Sequence, residues 1–276
     1  MNEKYSVLMS VYQKERPEYL RSAIISILNQ TLQAEEIILV CDGPLTDELE
    51  QVLSDFVSHL TLVRLEENSG LGKALAEGLK HCRCEWIARM DSDDIAVRDR
   101  CEKQLDYVKM HPEVDVLSGT LAEFIGEALT PEEAEKSVCS HKRVPETNQK
   151  VAEYIKHRNP INHPCVMFRR SKVLEVGNYR PCYLFEDYDL WVRMFQKQCI
   201  FANLTSTILY MRVNDMHRRR GGIGYARATV HFWTSMYQRG MISLLKCSFI
   251  IAVRVVVSLS PNQIRKIIYD RKLRNR

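Results

Sequence analysis

The chain of 276 residues predicts an α/β protein with an open, mostly parallel sheet. Three observations carry this. Strand-like and helix-like stretches alternate from Tyr5 to Leu117, as repeated strand–crossover–strand units with right-handed connections do. The segment Ile37 to Cys41 is almost wholly apolar, which fits a strand covered on both faces. Two acidic turns, Asp42-Gly43 and Asp91-Ser92-Asp93-Asp94, each follow directly on a strand-like segment. In such sheets the ligand crevice lies at the carboxyl ends of the strands.

Tyr5 to Val11 reads as the first strand. After Pro17, the positions Leu20, Ala23, Ile24, Ile27 and Leu28 recur at helical spacing and give a helix with one buried face. Thr46, after the Ile37–Cys41 strand, caps a helix that reaches about Phe56. Leu60 to Leu65 is a strand, Leu71 to Leu79 a helix, Trp86 to Met90 a strand, Arg98 to Met110 a helix and Val114 to Leu117 a strand. The alternation weakens after Gly119. Thr130 to Lys150 reads as loop with short helices, Cys165 to Phe168 as a strand, and Glu186 to Gln196 as a short helix. This divides the chain into a regularly alternating half (1–118), a less regular half (119–240) and a basic C-terminal extension (241–276); the resemblance described below implies donor binding by the first and acceptor binding and catalysis by the second.

At 45% apolar and 27% charged residues the composition is that of a folded protein. Lys and Arg total 39 against 35 Asp and Glu, a formal balance of +4, too small a surplus to point to nucleic acid. The nine scattered cysteines are odd in number and predict free thiols in a reducing cytoplasm rather than a disulfide framework. Cys82 and Cys84 have no second pair at zinc-site spacing. The first residues lack the basic region, long apolar run and cleavage site of a signal peptide.

The acidic turns carry the chemistry. Asp91 and Asp93 project in roughly the same direction from an extended start, whereas Asp94 is expected to turn away. Carboxylates beside a diphosphate repel it unless Mg²⁺ or Mn²⁺ bridges them and stabilises charge on the leaving group; the bland reading is a solvated turn capping the next helix. Asp42 suits a base or ribose contact, or equally a turn cap. Gly70 and Gly72 allow the backbone close to a donor with Lys73 facing its phosphate or base, although the run lacks Walker-loop spacing and also fits a simple helix start. Glu186, Asp187 and Asp189 form a second acidic cluster, from which one carboxylate could deprotonate an acceptor hydroxyl or merely cap a helix. His163, in the loop after Asn159-Pro160-Ile161-Asn162, is either an acceptor-pocket residue or a satisfied loop histidine. The run His217-Arg218-Arg219-Arg220-Gly221-Gly222 could grip diphosphate oxygens or form a solvated basic surface.

Taken together, Ser10-Val11-Tyr12, Ser26-Ile27-Leu28-Asn29-Gln30-Thr31, Ile37 through Gly43, Asn68 through Lys73, Met90 through Asp94, Glu186-Asp187 and the arginine-rich run resemble an inverting glycosyltransferase of family 2 with the GT-A fold. The resemblance spans roughly residues 4–225. It implies that Asp42 contacts the uridine side of a UDP-sugar, Asp91 orients the nucleoside or ribose, and Asp93 binds the diphosphate-bound metal, Mn²⁺ or Mg²⁺. It further implies Asp187 as general base, Glu186 as an acceptor-positioning neighbour, and Arg219 and Gly221 as parts of a donor-facing loop. The implied reaction transfers a hexose, glucose or galactose ahead of an N-acetylhexosamine, to a saccharide on a polyprenyl diphosphate in O-antigen or capsule synthesis, with inversion to a β-glycoside. A carbohydrate-binding module and a nucleotidyltransferase are the competing readings. Release of nucleoside diphosphate rather than pyrophosphate separates the last from glycosyl transfer.

Met241 to Leu259 is interrupted by Lys246 and Arg254, which disfavours a spanning helix. An amphipathic or partly buried helix with Ile251, Val255, Leu259 and Ile264 as apolar contacts is expected instead. From Pro261 to Arg276 there are six basic residues and one acidic. The expectation is peripheral attachment to the anionic cytoplasmic face of the inner membrane, the competing reading being a core or dimer helix.

Overall fold

A computed structural model describes residues 4–214 and 221–261. Nine strands form one sheet: β1 (Tyr5–Val11), β2 (Glu36–Cys41), β3 (Thr61–Arg64), β4 (Trp86–Arg89), β5 (Ile95–Ala96), β6 (Val116–Phe124), β7 (Val138–Lys142), β8 (Met167–Arg169) and β9 (Phe201–Arg212). Their order is β3-β2-β1-β4-β8-β6-β9-β5, with β7 paired to β6. The first four strands in this order, through β4, are mutually parallel. Antiparallel pairs enter at β8, which lies between β4 and β6, while β6 and β9 run parallel along their length. The GT-A expectation of an α/β architecture with helices after the sheet holds.

Helix α1 (Pro17–Leu28) starts with proline in its first turn, where the missing N–H is no loss. It buries Leu20, Ala23, Ile24 and Ile27 against the sheet. In α2 (Asp47–Asp55) the Thr46 hydroxyl accepts from Leu49 N at 3.4 Å, and three acidic residues in the first turn complement the helix dipole. Helix α3 (Leu71–His81) packs closely on the opposite sheet face. A Cβ at Gly78 would stand 2.6 Å from both Leu8 and Val40 side chains. Helix α4 (Arg100–Met110) and the short α5 (Pro131–Lys136), α6 (Asn148–Tyr154) and α7 (Arg170–Glu175) follow. Next come α8 (Glu186–Gln196), α9 (Gly222–Gln238) and α10 (Leu244–Leu259).

Two apolar clusters sandwich the sheet. One joins Tyr5, Met9, Ile24, Leu39 and Leu105. The other joins Leu8, Val40 and Leu75 to Trp191, Phe232 and Trp233 of the second half. The core is therefore continuous across residue 118, which itself lies within β6. All nine cysteines are free thiols.

Strands β5, β7 and β9 have no counterpart in the sequence reading. β5 is two residues long, too short to show a period. β9 is exposed in its middle at Thr205 and Ser206, and its register with β6 shifts near Thr120, so alternation is broken where it would be read.

Candidate active site

The carboxyl ends of β1, β2 and β4 and the N-termini of α3 and α8 bring the acidic groups to one side of the sheet. Asp42 follows β2 and is buried. Its two carboxylate oxygens accept from Ser69 N at 2.7 Å and Gly70 N at 3.0 Å, and its carbonyl accepts from the Asn68 amide at 3.2 Å. This acid therefore shapes the loop that opens α3. The fit is tight, because Gly43 has φ +85° and a Cβ there would lie 2.6 Å from Asn68 N. Gly43→Ala should thus destabilise the protein by about 1–3 kcal/mol. Urea unfolding measures this, and an unchanged midpoint would contradict the close approach. Lys73 is exposed in the first turn of α3.

After β4, Asp91, Asp93 and Asp94 each place a carboxylate oxygen within 4.8 Å of the others. This corrects the expectation that Asp94 turns away. Arg212, at the end of β9, is the reason. Its amide donates to Asp94 Oδ1 at 3.0 Å and its guanidinium to Asp93 O at 3.1 Å, while the same guanidinium stacks 3.6 Å from the Tyr19 ring centroid. Ser92 is tied by its hydroxyl to Glu15 at 2.7 Å. Asp91 is paired with the buried Arg89.

Asp94 is 1% exposed, and its Oδ2 is buried without a hydrogen-bond partner. Burial, then the charges of Asp93 and Asp91, push its carboxyl well above the usual range. Such an arrangement is costly for carboxylates alone. An all-oxygen donor set with one orphaned buried acceptor fits a hard divalent cation such as Mg²⁺ or Mn²⁺.

Asp187 stands in the first turn of α8, half-buried, and the Asn159 amide donates to its Oδ2 at 2.5 Å. Burial raises its proton affinity, opposed by hydrogen bonds from the Tyr188 backbone amide and the Asn159 side chain and by the charges of Lys142 and Arg89. Burial likewise raises Glu186. Glu186 also marks where the two halves meet, since a Cβ on Gly72 would come 2.8 Å from Glu186 Cγ. The start of α3 and the second acidic cluster are thus in contact. Asp189 is excluded from that cluster's chemistry. It is buried and committed to Arg193 at 2.8 Å and Arg239 at 2.5 Å.

His163 lies in a short 3-10 turn (His163–Cys165). It is 8% exposed, its Nε2 is 2.9 Å from the Tyr179 hydroxyl, and the ring meets Trp191 edge-on. Burial, then the charges of Arg89 and Lys142, keep it well below the usual histidine range, so it is a neutral, bonded core histidine. The Asn159–Asn162 loop instead reaches the site through Asn159. Gly221 precedes α9; Arg219 lies outside the described residues. The sequence reading named Asn159 only as part of the loop before His163, gave it no role, and missed Arg89 and Arg212. Of these only Arg89, a charge inside an otherwise apolar strand, carried a signal.

A mixed sheet with a carboxylate triad at a strand end and a second acid on a nearby helix agrees with the GT-A expectation. The chain belongs to glycosyl transferase family 2, whose pattern matches residues 6–177. It is 40% identical over 274 residues to an uncharacterized glycosyltransferase of Haemophilus influenzae, covering 98% of this chain and 99% of that protein. It is 36% identical over 270 residues to the amylovoran biosynthesis glycosyltransferase AmsE of Erwinia amylovora, covering 97% and 98%. It is also 35% identical over 274 residues to the UDP-Gal:alpha-D-GlcNAc-diphosphoundecaprenol beta-1,3-galactosyltransferase of Escherichia coli, covering 98% and 97%. The crystal structure of S. aureus TarS 1-349 in complex with UDP-GlcNAc shares the fold, with a TM-score of 0.66 at 18% identity over 99% of this chain and 76% of that one.

Proposed function

We propose that the protein transfers a hexose, galactose or glucose, from a UDP-sugar to a hydroxyl of a saccharide carried on a polyprenyl diphosphate. The transfer proceeds with inversion, in O-antigen or capsule assembly. The observation that carries this reading is the contact between Gly72 and Glu186, which closes the donor-side loops onto the helix bearing Asp187. The printed activity of the E. coli relative, a galactosyl transfer to a diphosphoundecaprenol-linked sugar, supports the donor and the acceptor class.

The donor is held by the half up to residue 118, with Asp42 and Lys73 toward the nucleotide and Asp91 toward the ribose. The family resemblance assigns Arg219 and Gly221 to donor binding. Residues 119–240 hold the acceptor, with Glu186 positioning it and His163 bracing the pocket wall from beneath through Tyr179. Asp187, fixed by Asn159, takes the proton of the acceptor hydroxyl as that oxygen bonds to the anomeric carbon. The carbon–oxygen bond to the diphosphate breaks and its electron pair leaves with UDP. A single displacement of this kind turns an α-linked donor into a β-glycoside. A divalent cation, Mn²⁺ or Mg²⁺, held by Asp93 within the triad, would supply the positive charge that stabilises the departing diphosphate.

Incubating the enzyme with a panel of UDP-sugars, a lipid-diphosphate GlcNAc acceptor and Mn²⁺ or Mg²⁺ tests this. Mass gain of one hexose with release of UDP is expected. An N-acetylhexosamine gain would move the donor assignment, and pyrophosphate release would overturn the reaction class.

Membrane attachment through the C-terminal extension (241–276) belongs to the same reading. Among the described residues no helix is long and apolar enough to cross a membrane. Ile251 packs partly on the core, and Val255 and Leu259 line a groove of about 600 Å³ against α9. Ile264 lies outside the described residues. Leu245 (85% exposed), Phe249 (70%) and Val256 (69%) point to solvent instead, and six basic residues follow in the sequence. This pairing of apolar face and positive charge suits the anionic cytoplasmic leaflet of the inner membrane. Leu245→Glu with Phe249→Glu should release the protein from anionic vesicles while leaving transfer to a water-soluble acceptor intact. Unchanged vesicle sedimentation would contradict it.

A further inference from the structure

Lys246 and Arg254, the two charges that interrupt the apolar run of α10, are half-buried, and both meet the same residue. Arg254 Nη2 donates to the His157 carbonyl at 2.9 Å, and Lys246 Nζ lies 3.1 Å from His157 Nε2. The Arg254 guanidinium also stands 5.0 Å from the centroid of the Trp233 ring on α9, within cation–π range. His157 belongs to the turn that follows α6, where its amide and that of Arg158 both donate to Tyr154 O at 2.9 Å. Tyr188 of α8 grips the same turn. Its hydroxyl donates to Ile155 O at 2.6 Å, and its ring meets Trp233 edge-on. Two residues beyond His157, the Asn159 amide donates to Asp187 Oδ2 at 2.5 Å. Past that point the chain is tied down again, since the Asn203 amide donates to Pro160 O at 3.2 Å.

We propose that Arg254 is a positioning residue for the transfer: by holding the His157 carbonyl it sets the turn from which Asn159 reaches Asp187. The inference rests on Asp187 being the base. A side chain presented from a turn keeps its aim only where the turn is itself bound by its surroundings. His157 and Arg158 are exposed, so packing alone does not fix this one. Tyr188 holds the carbonyl four residues before Asn159, and Arg254 holds the carbonyl two residues before it. A loosened Asn159 leaves the base less well oriented and its ionised form less favoured. Neither effect touches the donor. The two charges inside α10 thereby have a use: the helix whose outer face exposes Leu245, Phe249 and Val256 braces the base with its inner one.

Arg254→Met keeps the aliphatic stem over Trp233 and removes the hydrogen-bond donors. It should lower kcat about tenfold with the donor KM within about twofold of the unaltered protein. The acid limb of kcat against pH should move up by about half a unit, in the direction expected for Asn159→Ala. Besides Asn159, the groups facing Asp187 are Lys142 on β7, Arg89 on β4, Glu186 and Tyr188 on α8, and Tyr179 and Cys182 in the loop before it. All of these remain in the variants. Because Arg254 acts through Asn159, adding Arg254→Met to Asn159→Ala should change the profile no further. Circular dichroism establishes that each variant is folded. An unmoved acid limb in either single variant, full additivity in the double, or a loss confined to the donor KM would overturn the proposal. If Arg254→Met does not fold, Arg254→Gln takes its place under the same criteria. Asp187→Asn separates this from the parent reading. An active Asp187→Asn removes the base assignment itself, whereas an inactive one beside an unaffected Arg254→Met removes only the part given to Arg254.

Discussion

Asp187→Asn is expected to lower acceptor-dependent transfer by roughly 10²–10⁴-fold, the contribution of a positioned general base, while donor binding stays near that of the unaltered protein. The substitution keeps the shape of the side chain and its contact with Asn159 but removes the carboxylate proposed to take the proton. The pH profile carries the same signature. Burial raises Asp187 above the ordinary aspartate range, so activity should fall on acidification at a pH above that of a solvated aspartate, as the base becomes protonated. Asn159→Ala removes a hydrogen bond that favours the ionised form and should push this limb still higher. Steady-state kinetics across pH with titration of UDP binding checks both. A folded Asp187→Asn with ordinary transfer and unaltered donor affinity would contradict the role.

The second large effect is expected at Asp93. Asp93→Asn should preserve the fold yet cut turnover by roughly 10²–10³-fold. The triad loses one of the three carboxylates whose oxygens lie within 4.8 Å of one another. Mn²⁺ binding, followed calorimetrically with no acceptor present, should weaken in parallel. Because Arg212 holds the backbone of Asp93 and the carboxylate of Asp94 independently, local geometry should survive the change. Near-normal turnover at limiting Mn²⁺, or undiminished Mn²⁺ affinity, would reject the assignment.

The parts legible from sequence are those written locally. The all-apolar β2 followed at once by Asp42, and the Asp91–Asp94 turn after β4, announce both the parallel half of the sheet and the crevice at its end. The Glu186-Asp187 pair opens a helix whose apolar spacing is visible, and it lies where that spacing places it. The missing parts depend on contacts between distant segments. Asp94 joins the triad because Arg212, 118 residues on, bonds it. Asn159 reaches Asp187 across 28 residues, and Asp189 is withdrawn from the site by Arg239, 50 residues away. No periodicity encodes such pairings. His163 shows the converse: the sequence leaves a pocket residue and a satisfied histidine both open, and the packing of Tyr179 and Trp191 around it decides for the buried one.

The most direct test of the account is the anomeric configuration of the new bond. With an α-linked UDP-hexose as donor and a lipid-diphosphate GlcNAc acceptor, the purified product is examined by proton NMR for the coupling at the transferred sugar's anomeric position. Single displacement with Asp187 as base predicts a β-linkage, seen as a large coupling between the anomeric proton and its neighbour. An α-linked product, with the small coupling of a retained configuration, would contradict the mechanism and the part given to Asp187.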